Sequence, residues 1–418
     1  MCTICGGTSL NEKFLSIFQT SLDRGRDYSN VFYRKGSWIC NHRAVPTTEV
    51  ENAEFNQPFG TDYKIVHNGT ISNDRELGNP DGMIDSYVLS KVLDFTNIYS
   101  LRDSLYKVVG AYAIGILKPD GNFYLACNYK PIFYSYDKDG NFYFSSYAHH
   151  LVSIGDVKRV PPYSIMDSET REIISIKRDV QDSAIVIASA GLDSTAVAAY
   201  ACATHKKVTL LHYNYGCLAE TPELIRIKKI QESLNHTYGN CSLYVMDLDL
   251  HFMAHASTIL DGKENISESV SGSEYAHEWV PARNLIMMSM AVGYAEANNF
   301  SYIYLGTNLE ESGAYPDNEE QFIKDFNSCL YGAVQNGKYV EIRTPVGNLM
   351  KHEIIPFGLK YKAPFEYTWS CYRNGDKACG HCGPCFMRQK AFFRNGLVDP
   401  IEYEERLDFK DKEKDYAK

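Results

Sequence analysis

Residues 185–195 read IVIASAGLDST. Three β-branched residues open the stretch, small residues make a turn, and Ser194 and Thr195 lead into the helical run STAVAAYACATH over 194–205. A strand that ends this way at a helix start has a physical consequence. The first N–H groups of a helix lack partners within it, and its dipole adds partial positive charge there. Small residues let an anion reach those groups, and the hydroxyls of Ser189, Ser194 and Thr195 add donors. The stretch reads as a phosphate-binding turn, with a plain strand-to-helix turn capped by serine as the alternative.

Outward from this turn the chain keeps one pattern. Strand VTLLHYN (208–214), helix TPELIRIKKIQESL (221–234), strand SLYVMDL (242–248), helix ARNLIMMSMAVGYAEANN (282–299) and strand YIYLGTN (302–308) follow. Strands alternating with helices predict an α/β doubly wound parallel sheet. Before residue 180 the pattern differs. FYRKGSWIC (32–40), YKIVHNG (63–69) and GAYAIGILKPDGNFYLACN (110–128) read as short strands with turns, and Asp120-Gly121 and Asp139-Gly140 are hairpin signals. One helix is expected over Met83–Asp94. This half is α+β. The expected division is 2–180, 181–410 and a charged, frayed tail over 411–418, with the boundary in the polar stretch Arg178–Asp182.

At 418 residues the chain is too long for one ordinary core. No apolar run reaches the length of a membrane span, and the first residues lack a signal-peptide pattern, so a cytoplasmic location is expected. The net charge of −10 argues against a chain that grips a nucleic-acid backbone, and none of its 31 tyrosines forms a stripe with interleaved basic residues. A small-molecule substrate is expected instead of a nucleic acid. The oligomeric state stays open, a homo-oligomer included.

Twelve cysteines in such a chain point to thiol, metal or catalytic chemistry before disulfides. Cys371, Cys379, Cys382 and Cys385 form two overlapping CxxC turns with a fourth cysteine eight residues upstream, in WSCYRNGDKACGHCGPCFMRQKAF (369–392). Four thiolates so spaced suit one tetrahedral Zn²⁺, and a closed four-cysteine site is structural rather than catalytic. Cys5, Cys40, Cys127, Cys202, Cys217, Cys241 and Cys329 lack such spacing and read as buried small hydrophobes.

The turn at Ser189–Ser194 resembles the SGGxDS loop of the ATP-pyrophosphatase families, with Ala190 in place of a glycine. A methyl there crowds the loop if the position needs positive φ. Residues 183–396 are similar to 7-cyano-7-deazaguanine synthases in SAGLDS, WVPARN (279–284), ESGAYPDNEEQF (311–322), TPVGNLMKHEI (344–354) and the cysteine cluster. That family uses ATP to turn 7-carboxy-7-deazaguanine into an amide and then a nitrile, with ammonia as nitrogen source. The resemblance implies that Ser189, Gly191, Asp193 and Ser194 hold ATP, with Mg²⁺ as its companion. It also implies that Lys351 neutralises pyrophosphate, that Arg283 and Asn284 line the pocket, and that Asp317 accepts the N1–H and amino group of the base. Cys217 stands where the family commonly has glutamine.

A family that consumes ammonia gives the N-terminus MCTICGG a meaning. The segments MCTICGG, CNHRAVPTTEVENAEFNQPF (40–59), VHNGTISNDREL (66–77), MIDSYVLSKVL (83–93) and GAYAIGIL (110–117) resemble, in order, those of class II, N-terminal-nucleophile glutamine amidotransferases. By that resemblance Cys2 attacks the glutamine amide with its own α-amino group as base. Asn68 and the Gly69 N–H form the oxyanion hole. Arg43 clamps the glutamine carboxylate and Asp85 pairs with its ammonium. Thr3 and Tyr147 replace the usual glycine and glutamate.

The combined expectation is a glutamine-dependent amidotransferase acting on a 7-deazaguanine. First in order stands addition of ammonia to the nitrile of 7-cyano-7-deazaguanine, giving the 7-formamidino product of archaeosine-type synthases. Second is glutamine- and ATP-dependent synthesis of 7-cyano-7-deazaguanine. Third is ATP-dependent conjugation of the base to an amine of a partner protein.

Overall fold

The computed structural model describes residues 2–45, 52–176, 178–260, 266, 278–312, 315–335 and 337–409. The chain divides into two compact units, Met1–Asp179 with Tyr331–Lys338, and Val180–Leu330 with Tyr339–Lys418.

The first unit is built on two antiparallel sheets. One contains β1 (Thr3–Gly7), β2 (Tyr28–Arg34), β3 (Ser37–Arg43), β7 (Phe133–Tyr136), β8 (Phe142–Ser145) and β9 (Lys158–Arg159), in the order β2-β3-β1-β8-β7-β9. The other contains β4 (Lys64–Ile71), β5 (Gly110–Leu117), β6 (Phe123–Cys127), β10 (Ser164–Asp167) and β11 (Ile173–Ser175), in the order β11-β10-β6-β5-β4. Period-two alternation explains the layering. Ile4, Ile39, Phe144, Val66, Ala113 and Leu125 point from both sheets into one shared core. The alternate residues Cys5, Trp38, Cys40 and Tyr143 pack with Ile17 of helix α1 (Glu12–Thr20) on the outer face of the first sheet. Ile65, Ile114, Ile116 and Ala126 pack with Leu101 and Leu105 of helix α2 (Ile98–Leu105) on the outer face of the second. The unit is thus four layers, helix–sheet–sheet–helix.

The helix expected over Met83–Asp94 is shorter. A 3₁₀ turn at Asp85–Val88 runs into one helical turn at Leu89–Val92. Gly82 has φ +80 and Ile84 is extended, so the helix cannot begin earlier. Cys329 is exposed on α6 (Glu320–Ala333), which turns Ile323 and Leu330 inward instead, so it is not a buried hydrophobe. The six other unspaced cysteines are buried. The expected tail over 411–418 and residues 46–51 of the arginine-bearing segment lie outside the described residues.

The second unit carries a parallel sheet of β12 (Ser183–Ile187), β13 (Lys207–Asn214), β14 (Cys241–Asp247), β15 (Tyr302–Tyr304) and β16 (Glu341–Arg343), ordered β14-β13-β12-β15-β16. The winding reverses at β12, and ligands of such sheets bind where the order reverses, beyond the strand ends. Helices α3 (Leu192–Thr204), α4 (Glu220–Tyr238), α5 (Arg283–Asn298), α7 (Lys351–Lys360) and α8 (Gly383–Arg394) complete it. Helix α3 is rich in alanine and buried on most of its surface, and its small side chains join Ile354, Ile355 and Phe392 in one core. No described helix is long and apolar enough to cross a membrane.

Candidate functional site

The reversal point fixes the loop first. Ala188 to Gly191 leave the end of β12, and Gly191 caps α3. Ser189 and Ser194 approach oxygen to oxygen at 3.3 Å, and the Ser194 hydroxyl donates to the Gly191 carbonyl at 3.3 Å. Ala190 has φ +61, the left-handed region that costs a residue with a Cβ about 1–2 kcal/mol. Its methyl is fully buried in the core with Leu192 and Ala196. Gly306, just past β15, allows the close approach: a Cβ there would stand 2.7 Å from the Ser194 nitrogen.

Asp193 and Lys351 meet across this loop. Lys351 Nζ donates to Asp193 Oδ2 at 2.6 Å, with the two side chains 9% and 13% exposed, and Asn308 Nδ2 donates to the same oxygen at 3.3 Å. Lys351 is the first residue of α7. A cation at a helix N-terminus is electrostatically disfavoured, and the Asp193 carboxylate on its ammonium and the Glu310 carboxylate on its backbone N–H, at 3.1 Å, offset it here.

Ser189, Gly191, Asp193, Ser194, Lys351, Arg283 and Asn284 all line one cleft. Arg283 opens α5, and its guanidinium reaches the Tyr215 hydroxyl at 3.4 Å. Asn284 donates through its backbone N–H and its side chain to Asp317, each at 3.3 Å, and its side chain also donates to Asn318 at 2.7 Å. Asp317 is 7% exposed and does not line the cleft. Burial raises its carboxyl above the ordinary range, against the pull of Arg283 and the Asn284 donors. Cys217 also lines the cleft, where burial and the Glu223 charge push its thiol up.

Among the cleft residues that escaped the sequence reading are His212, Glu223 and Trp369. His212 Nδ1 lies 2.8 Å from the Ala188 carbonyl, and burial lowers its pKa, so a neutral imidazole pins the loop's first residue. The backbone N–H of Trp369 donates to the Ala190 carbonyl at 2.8 Å. A histidine inside the apolar strand VTLLHYN was the available signal for His212.

The four cysteines converge. Cys371, Cys379, Cys382 and Cys385 are 0–3% exposed, and their sulfurs all lie within 4.8 Å of one another. The sulfurs of Cys379 and Cys385 lie 4.0 Å apart, and those of Cys382 and Cys371 3.9 Å apart. Zinc–sulfur bonds of ~2.3 Å in a tetrahedron set sulfur–sulfur edges of ~3.8 Å, so the cluster fits one Zn²⁺. The backbone N–H groups of Arg373 and Cys379 point at the Cys371 sulfur at 3.4 Å, as thiolate ligands require. One helical turn on, Arg388 holds Asp399 through Nε at 2.8 Å and Nη2 at 3.0 Å and reaches Thr368 at 2.6 Å, tying the knuckle to its flanks.

In the first unit the register sets the other group of residues. Thr3 pairs with His42, so the next step places Cys2 opposite Arg43. Cys2 shares the parity of Ile4, Arg43 that of Ile39, and Asn68 that of Val66, all of them residues of the core between the sheets. Arg43 of β3 and Asn68 of β4 therefore share the inner faces, and Cys2, one residue before β1, continues the same alternation. Arg43 is 3% exposed and stands over the Phe55 ring at 5.6 Å. Gly69 has no room for a side chain: a Cβ would meet the Ala111 carbonyl at 1.8 Å. Asp85 is bound to the strand itself, for its oxygens accept from the Ile71 N–H at 2.5 Å and the Ser86 N–H at 2.8 Å. His67, whose pKa burial lowers, braces the same turn through the Ser86 hydroxyl at 2.8 Å.

Residues 183–396 match the family described as Queuosine biosynthesis protein QueC. Over 391 residues the chain is 41% identical to a protein of Sulfolobus acidocaldarius named 7-cyano-7-deazaguanine synthase, covering 88% of this chain and 84% of that one. A protein of Sulfurisphaera tokodaii named 7-cyano-7-deazaguanine synthase 2 is 42% identical over 392 residues, with the same coverage. In Methanothrix thermoacetophila a 7-cyano-7-deazaguanine synthase is 36% identical over 224 residues, 53% of this chain and 98% of that one.

Proposed function

The chain belongs to the QueC family of 7-cyano-7-deazaguanine synthases, and from that premise we propose that it makes 7-cyano-7-deazaguanine from 7-carboxy-7-deazaguanine with ATP. Its ammonia comes from glutamine, cut in the first unit. The observation that carries this reading is the pairing of Lys351 with Asp193 across the Ser189–Ser194 loop at the sheet's reversal point. A nitrile needs no such anion site to accept ammonia, whereas a carboxylate must first be activated. The order expected from sequence is therefore reversed: nitrile synthesis stands ahead of the 7-formamidino product, and synthase relatives that align along most of the chain support the change.

In this reading a substrate carboxylate oxygen attacks the α-phosphorus of ATP, and pyrophosphate leaves. The α3 N-terminus, Ser189, Ser194 and Lys351 stabilise the charge that grows on it. Ammonia displaces AMP to give the amide. The amide oxygen then attacks the α-phosphorus of a second ATP, pyrophosphate leaves, and loss of AMP and protons gives the nitrile. Mg²⁺ would screen the phosphates, and Asp193, in the first turn of α3, is a carboxylate able to hold it. The four-cysteine knuckle binds Zn²⁺ as a structural clamp. In the first unit Cys2 is the nucleophile, Asn68 and the Gly69 N–H form the oxyanion hole, Arg43 takes the glutamine carboxylate and Asp85 stands toward its ammonium. The inward parity of Cys2, Arg43 and Asn68 supports that assignment. Incubation with amide-¹⁵N glutamine, ATP and 7-carboxy-7-deazaguanine tests it: the nitrile should carry the ¹⁵N. Unlabelled nitrile, or a formamidino product made from 7-cyano-7-deazaguanine, would overturn it.

A further inference from the structure

Two carboxylates stand near the Arg283 guanidinium, and they are placed differently. Asp317 is 7% exposed and bonded to the first turn of α5 through two Asn284 donors. Its position explains the geometry of Asn284 and leaves it off the cleft wall. Glu223, on the first turn of α4, lines the cleft together with Tyr215, Cys217, Arg283 and Asn284. Its neighbour Glu220 is already used, because its Oε2 accepts from the Gly216 N–H at 2.6 Å. Among the described residues the Glu223 carboxylate accepts no hydrogen bond.

A cleft-lining carboxylate with no donor partner is costly, and a ligand with two N–H groups repairs that cost. A guanine-like base presents two such groups side by side, N1–H and the 2-amino group, at the spacing of two carboxylate oxygens. We propose that Glu223, in place of Asp317, reads the base by accepting both of these hydrogen bonds. The assignment rests on the deazaguanine reading of this cleft. Burial raises the Glu223 carboxyl to about 8 against the opposing charge of Arg283, and two donors from a ligand would draw it back to the ionised form. Arg283 then balances the carboxylate from within the protein.

The test compares 7-carboxy-7-deazaguanine with its 2-deamino analogue at saturating ATP. Loss of one hydrogen bond to a charged acceptor should lower kcat/KM of the wild-type enzyme for the analogue on the order of 10–100-fold. Glu223→Gln puts an N–H donor against a donor, so kcat/KM for the parent base should fall by a similar factor and the preference should shrink to near unity. Its KM for ATP and its zinc content should stay those of the wild type. Glu223→Asp should restore part of the preference, and Asp317→Asn should keep it. A Glu223→Gln enzyme with the full preference, or an Asp317→Asn enzyme that alone loses it, overturns the assignment. If the wild-type enzyme turns over neither base, the deazaguanine reading fails and this assignment with it. If it turns over both without preference, only the assignment fails.

Discussion

Replacing Lys351 with methionine separates what the Asp193 pair does for stability from what it does for the reaction. The two groups lie 2.6 Å apart with side chains 9% and 13% exposed. Removing one partner of a buried pair costs ~3–5 kcal/mol, because the other charge stays buried. This pair lines a cleft and Asn308 also donates to Asp193, so a smaller loss of about 2 kcal/mol is expected for Lys351→Met. The double variant Asp193→Asn, Lys351→Met carries no stranded charge and should recover most of that stability. The reaction should respond differently. Loss of one preorganised group facing developing charge costs ~10²–10³-fold in rate, and the double variant should remain as slow as the single one. Urea unfolding read by tryptophan fluorescence gives the first quantity, and AMP release under saturating substrates the second. Recovery of AMP release along with stability in the double variant would refute the assignment of Lys351 to the leaving pyrophosphate.

Cys2→Ala should abolish glutamate release while leaving turnover with added ammonium intact, which coupled glutamate and nitrile assays would read together. Cys382→Ser removes one of four ligands from a closed site, so metal analysis should show less than one bound zinc per chain and thermal unfolding should begin earlier. Asp137 provides a pH signature in the first unit. Burial alone would raise its carboxyl, but donors from Lys13 at 2.9 Å, Asn141 and Asp139 lower it to about 2. A depressed carboxyl adds stability above its unfolded pKa of ~3.9, worth about 2 kcal/mol at neutral pH, and loses it as pH falls toward 2. Asp137→Asn should therefore destabilise at pH 7 and match the wild type near pH 2 in chemical unfolding.

The parallel-sheet unit was legible because each of its strands from Ser183 to Tyr304 carries a local signal, an apolar run followed by a turn and a helix. The turn at Ser189–Ser194, between β12 and α3, was legible for the same reason. The first unit was less so. Its β1–β8 pairing joins residues about 140 apart, as Cys5 does with Ser145, and alternation marks faces without naming the partner strand. The place of Tyr331–Lys338 in the first unit follows from tertiary packing, in which Arg178 stands over both Tyr163 and Tyr331. The cysteine spacing announced the four-cysteine cluster, whereas Glu223 sits in an ordinary amphipathic helix. Only the fold brings its helix turn beside Arg283 on the cleft wall, and a sequence spacing of 60 residues between them carries no such message.

The coupling of ATP to product tests the central reading most directly. Converting a carboxylate and ammonia to a nitrile removes two oxygens, and each should leave on its own adenylyl group. Quantifying AMP, pyrophosphate and nitrile in one reaction with 7-carboxy-7-deazaguanine should give two AMP and two pyrophosphates per nitrile. Nitrogen incorporation without AMP release, or AMP release that does not track product, would contradict it.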